Sequence, residues 1–189
     1  MSQQPQRVVV RENYRDFTPP GNPTCAVERL LDGIPCKYLS GLKTVVLTNT
    51  AAMSRRKRQW GWAGGKKVRP REARGLYHGA WNDQLPWIEI FVDKVVLNLP
   101  RCLLCVPFFS DALFAQVLFH EIGHHIHATQ SPEFEDKEKV ADAWKRKLSG
   151  HYLARRYWYL MPVLFPPACL WKLGAKCFPH RRLAERRNS

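Results

Sequence analysis

FHEIGHHIHATQSPEFEDKEKVADAW, Phe119 to Trp144, places five histidine or glutamate residues in its first nine positions and then an acidic run that ends in Glu-x-x-x-Asp. On an α-helix His120 and His124 lie four residues apart, so both imidazoles leave the same face one turn, ~5.4 Å, apart. That is the spacing two ligands of one zinc ion need. Glu121 stands beside His120, able to reach an attacking water without being a ligand itself. The helix that would carry these groups is apolar elsewhere, so its histidines would be buried without partners unless a metal or hydrogen bonds satisfy them.

Working outward, the segment DALFAQVLFHEIGHHIHAT reads as a buried helix with Ser110 as its N-cap. Ser131-Pro132 reads as the N-cap and first residue of a second helix, with Glu133, Glu135 and Asp136 at the positive end of its dipole and Gly150 as its stop. In that register Glu138 stands ~9–10 Å from the start of the second helix and His124 ~7 Å before the end of the first. Folding the two helices back antiparallel through residues 129–131 brings Glu138 and His124 to one height. Asp142, four residues on, shares the face of Glu138 and is placed to accept the other N–H of a liganding histidine. Gly123, beside the second histidine, permits a close approach. Glu135 and His127 are alternatives for the third ligand, and His125 points elsewhere with a structural or hydrogen-bonding role.

The His-Glu-x-x-His pattern is the zincin motif, with the glutamate as general base. HEIGH followed by EKVAD resembles the gluzincins, the thermolysin-like zinc metallopeptidases, in a minimal single-domain form. Over roughly residues 85–150 the resemblance implies zinc ligands at His120, His124 and Glu138, a base at Glu121 and a supporting role for Asp142. The metzincin pattern would need Gly at position 127 and His at position 130, where this chain has His127 and Gln130. As the donor that steadies the oxyanion, His151, Tyr152 and Tyr157 are candidates after the second helix, as is Tyr77 or His78 ahead of the strand that opens at Trp87.

The remaining chain sets the frame. At 189 residues it has room for one full domain, and its composition is that of a globular protein. The expected class is α+β: a small mixed or antiparallel sheet packed on the motif helix and the glutamate helix. Residues 1–24 read as a flexible arm, 25–150 as the zincin-like domain, and 151–189 as an apolar, aromatic C-terminal segment with a basic tail. A helix is expected from Thr24 and a strand over Lys43–Asn49. WIEIFVDKVVL, Trp87–Leu97, reads as one strand or two joined at Asp93-Lys94, and WIEIFV is a candidate edge for a substrate peptide.

The net charge of +14 asks for an anionic partner or serves solubility. Ser54–Gly75, the basic loop, sets nine Lys or Arg against one Glu and interleaves Trp60 and Trp62, the mixture a nucleic-acid surface uses. It is also compatible with a mobile loop over a cleft. Tyr157–Trp171 carries no charge, and the segment 155–177 is a candidate for an anionic membrane surface, its three prolines arguing against a straight span. The lone Cys102-x-x-Cys105 reads as buried free thiols rather than half a metal site, and six cysteines in a chain without an apolar leader point to the cytoplasm. Two functions follow: a zinc metallopeptidase acting on peptides or proteins, cytoplasmic or peripheral at a membrane; or a zinc-stabilised regulatory or nucleic-acid-binding protein without hydrolysis.

Overall fold

The computed structural model describes residues 7–53, 73–97, 99–130 and 136–160, and the backbone of 61–63 and 66–68. It forms two compact units, Met1–Leu153 and Ala154–Ser189. The first is an α+β fold around a four-stranded mixed sheet of order β1-β2-β6-β5. Strands β1 (Val9–Asn13), β2 (Thr44–Thr48) and β6 (Trp87–Phe91) run parallel, and β5 (Gly75–His78) pairs antiparallel with β6.

Helix α1 (Pro23–Asp32) connects β1 to β2. It is capped by Asn22, whose side chain accepts from the Cys25 N–H at 3.0 Å, with Pro23 in the opening turn; the cap lies two residues ahead of Thr24 because proline tolerates the donor-free first position. The reading of residues 1–24 as an arm fails at β1, where the β-branched Val9 and Val10 extend the sheet beyond β2. Trp87–Leu97 divides: β6 ends at Phe91 and α2 (Val92–Val95) follows, so Asp93-Lys94 lies in a helical turn rather than between strands. Within the basic loop, β3 (Gly61–Ala63) and β4 (Lys66–Val68) pair antiparallel, while 54–60, 64–65 and 69–72 lie outside the described residues.

After the short α3 (Arg101–Leu104) comes α4 (Pro107–Gln130), the spine of the unit. It starts three residues ahead of Ser110, whose hydroxyl donates to the Pro107 carbonyl instead of capping, since Pro107 suits a first turn. Its apolar circumference follows from its neighbours: α4 packs on α1, β5 and β6. Val45, Leu47, Ile88 and Ile90 of the sheet and Leu118 and Ile122 of α4 are fully buried. Each such side chain contributes about 1.5–3 kcal/mol through the area it removes from water.

Helix α5 runs Lys137–Arg156. Asp136 caps it by accepting the Glu138 N–H at 3.1 Å, so Glu138 stands in the first turn of the described helix rather than two turns in. Ser131, Pro132, Glu133 and Glu135 lie outside the described residues. Gly150 does not stop the helix, which continues to Arg156. Tyr152 anchors it: its ring lies against Gly33 and its hydroxyl donates to Asp111 Oδ2 at 2.8 Å. Asp111, fully buried, also holds Arg29 of α1 at 2.5 Å, so one carboxylate ties three helices. Among the described residues no helix is long and apolar enough to cross a membrane.

Candidate metal centre

His120 and His124, on α4, and Glu138, on α5, offer donor atoms that all lie within 4.8 Å of one another. The two Nε2 atoms are 3.2 Å apart, His120 Nε2 is 3.4 Å from Glu138 Oε2, and His124 Nε2 is 3.7 Å from Glu138 Oε1. Tetrahedral zinc with bonds of ~2.0–2.1 Å requires donor separations of roughly 3.4 Å. The donor set and its spacing fit one such ion.

Two close approaches produce this geometry. The first is between the helices. A Cβ on Gly123 would meet the Ala141 Cα at 2.7 Å and its carbonyl oxygen at 2.8 Å, so only glycine lets α5 lie this near α4. Pairs ascend one helix while they descend the other: Asp111 and Phe119 meet Tyr152, and His124 meets Glu138. The helices are therefore antiparallel. The second approach is between α4 and β5, where a Cβ on Gly75 would stand 2.7 Å from Val117 Cγ1 and 2.8 Å from Glu121 Oε1.

Asp142 Oδ1 lies 3.1 Å from His120 Nδ1, so the ring donates there and its Nε2 lone pair faces the other donors. The same oxygen accepts from Lys145 Nζ at 2.8 Å. That hydrogen bond, the largest cause, and the charges of Lys145 and His120 hold the Asp142 carboxyl below its ordinary range against a smaller desolvation effect. Burial, followed by repulsion from His120, lowers the pKa of His124 and keeps it neutral, the form that ligates. Glu121, only 6% exposed, is pushed up to about 8, first by burial and then by the Glu138 charge; the Tyr77 backbone N–H, donating to it, works the other way.

Other expectations change. β6 is flanked by β2 and β5, so WIEIFV is no edge; among the described residues the edge strand beside Glu121 is β5. The Arg74 carbonyl accepts from Phe91, and alternation along an antiparallel strand turns the backbone groups of Gly75 and Tyr77 away from β6. His127 is not in the donor group; it is buried, and its Nε2 has no hydrogen-bond partner among the described residues. His125 donates through Nε2 to the Ser40 carbonyl at 3.0 Å and accepts from the Tyr77 hydroxyl at 3.2 Å.

The oxyanion candidates disperse. Tyr152 is committed to Asp111. His151 stands thirteen residues beyond Glu138, ~20 Å along the helix axis. Tyr157 belongs to the second unit. His78 stacks on Trp87 with ring centroids 3.9 Å apart and pairs with Glu89 at 3.2 Å. Cys102 and Cys105 are exposed free thiols, not buried ones, because α3 turns them outward at the surface. Residues 161–177 of the apolar segment and the side chains of 54–72 in the basic loop lie outside the described residues.

Sequence reasoning missed Gly75 and Lys145. Gly75 carried little signal, since Gly-Leu-Tyr-His announces no strand and the helix it meets, at Val117 and Glu121, lies about forty residues on. Lys145 had a signal, an ammonium three residues beyond Asp142 on a helix. Against known proteins, the chain matches no family model, no curated relative and no solved structure.

Proposed function

We propose that the protein is a zinc-dependent metallopeptidase of minimal gluzincin type. The observation that carries this reading is the convergence of His120, His124 and Glu138, with Asp142 on the far nitrogen of His120 and Glu121 one residue along the same helix. Three protein donors leave a coordination position open, which a purely structural site normally fills. Zinc in such a site supplies a Lewis acid and a water of lowered pKa.

The chain's own groups do the rest. Glu121 takes a proton from the water as its oxygen bonds to the peptide carbonyl carbon. It then passes that proton to the amide nitrogen as the C–N bond breaks, leaving a carboxylic acid and an amine. Asp142 fixes the His120 ring and its tautomer, and Lys145 fixes Asp142. The outward carbonyls of Gly75 and Tyr77 offer an extended peptide acceptors beside Glu121, which itself takes the Tyr77 N–H.

A second reading, a metal-stabilised regulatory or nucleic-acid-binding protein, draws on one fact: the Glu121 carboxyl is buried and already engaged by the Tyr77 N–H. One experiment separates the two. Native mass spectrometry should find one zinc in the wild type and weakened loading in Glu138→Ala. Glu121→Gln should keep its zinc and lose cleavage of a peptide library. Full activity in Glu121→Gln would overturn the role of Glu121 as base, and a loaded wild type that cleaves nothing would favour the second reading.

A further inference from the structure

The metal site takes the acids of α5 and leaves the rest of that helix strongly basic. From Ala143 to Arg156 it carries five Lys or Arg and no acid. The last 47 residues of the chain set eleven Lys or Arg against one acid, a surplus of ten within the net +14. Asp136 lies 3.6 Å from Lys139 and Asp142 holds Lys145, but Arg146, Lys147 and, on the neighbouring 3-10 turn Cys36–Tyr38, Lys37 have no carboxylate partner among the described residues. All three are exposed.

Aromatic side chains bind this surface together. The rings of Tyr38 and Trp144 lean on each other, centroids 4.9 Å apart and tilted by 59°. Lys37 Nζ lies over the Tyr38 ring at 4.9 Å, and Lys147 Nζ over the Trp144 ring at 4.7 Å. Gln130 at the end of α4 donates to the Lys37 carbonyl at 3.4 Å and holds the turn in place. On the outer face of α5, Ala143 and Gly150 are exposed between the cations, and a Cβ on Gly150 would meet nothing within 4 Å. The face from Lys139 to Gly150 is ~16 Å long, and a flat partner can approach its backbone closely.

We propose that this face, the outer side of α5 with Lys37 beside it, docks on an anionic lipid surface. Two features favour lipid over nucleic acid. The Tyr38 and Trp144 rings are occupied by each other and by ammonium groups, whereas a single-strand platform holds its rings open for bases. The sequence also continues from Arg155-Arg156 into Tyr157–Trp171, fifteen residues without a charge, with Trp158 70% and Tyr159 55% exposed. Cations followed by interfacial aromatic and apolar residues suit head groups and the acyl boundary beneath them. Nucleic acid has no use for the apolar run. The inference does not depend on hydrolysis.

The test is co-sedimentation of the full chain with vesicles of phosphatidylcholine alone or with about a third phosphatidylserine, at about 0.1 M salt. Wild type should partition onto the anionic vesicles and not onto the neutral ones, and added salt should release it. Each cation near the surface is worth roughly fivefold in partition, so Lys37→Gln, Arg146→Gln and Lys147→Gln together should lower it roughly a hundredfold. The control pair Arg11→Gln and Arg101→Gln, exposed elsewhere on the first unit, should change it far less. Should the triple variant fold poorly, Lys147→Glu alone should still weaken partition by about tenfold or more. Equal binding to neutral vesicles, an unchanged triple variant, or an equal loss in the control pair would each overturn the proposal. So would a labelled oligonucleotide whose binding the triple variant loses while vesicle partition stays the same.

Discussion

Glu121 carries opposite demands at one carboxyl. A base must be able to lose its proton, yet burial and the nearby Glu138 push Glu121 up to about 8. In the unfolded chain the group titrates at the model-peptide value of 4.5. Between those two values the unfolded state binds fewer protons than the folded one, so the stability of the metal-free protein falls as pH rises through the window. Glu121→Gln removes that penalty. Chemical denaturation of the metal-free proteins should therefore show the variant's advantage smallest below pH 4.5 and largest above pH 8, reaching on the order of a few kcal/mol. A flat difference across the window would place the carboxyl in a far wetter setting than its 6% exposure implies. His120, Glu121 and His124 were legible in the sequence because one helix fixes their spacing. The pKa of Glu121 was not, because it depends on β5 and Glu138, which arrive from elsewhere in the chain.

Among the elements, the crossing of α4 and α5 decides whether the site exists. Gly123 faces Ala141 backbone, which cannot swing aside as a flexible side chain would. Gly123→Ala should push the helices apart, cost about 1–3 kcal/mol by overpacking, and draw Glu138 away from His124. Zinc titration should show weaker binding together with a lower unfolding midpoint; loss of stability with unaltered zinc affinity would separate the crossing from the site. Gly150 is the contrasting case. It sits in the interior of α5 with open space around it, so Gly150→Ala should raise stability by roughly 0.5–1 kcal/mol, read from the denaturant midpoint. These glycines have the same letter in the sequence and opposite roles, and only the neighbouring helix tells them apart. Strand order was illegible for the same kind of reason. WIEIF announces a strand, but whether it lies at an edge depends on the four-residue β5, whose composition gives little strand signal. The β-branched Val9 and Val10 were visible, yet they sit among polar residues and prolines whose composition reads as an arm.

At the scale of the whole molecule, the metal donors come from two helices whose described ends are separated by residues 131–135, so a bound ion would clasp α5 to the body of the unit Met1–Leu153. The other attachments of α5 lie further along it: Trp144 on Tyr38, and Tyr152 on Asp111 and Gly33. Toward its N-terminus α5 is held by the Gly123 crossing and the Asp142–His120 contact, while the Glu138 side chain remains 52% exposed. An ion that binds only the folded form, present at about a hundred times its dissociation constant, adds about 2.7 kcal/mol. For a domain of this size that corresponds to a rise in Tm of roughly 5–10 °C. Thermal unfolding with and without zinc should show this rise in the wild type, and Glu138→Ala should abolish most of it while leaving the metal-free Tm nearly unchanged. Hydrogen exchange should report where the clasp acts. Protection gained on adding zinc should concentrate in the first turns of α5 and the facing turns of α4, leaving the Asp111–Tyr152 end as it was. Protection spread evenly over the unit would mean that the ion stabilises the fold as a whole rather than joining these two helices.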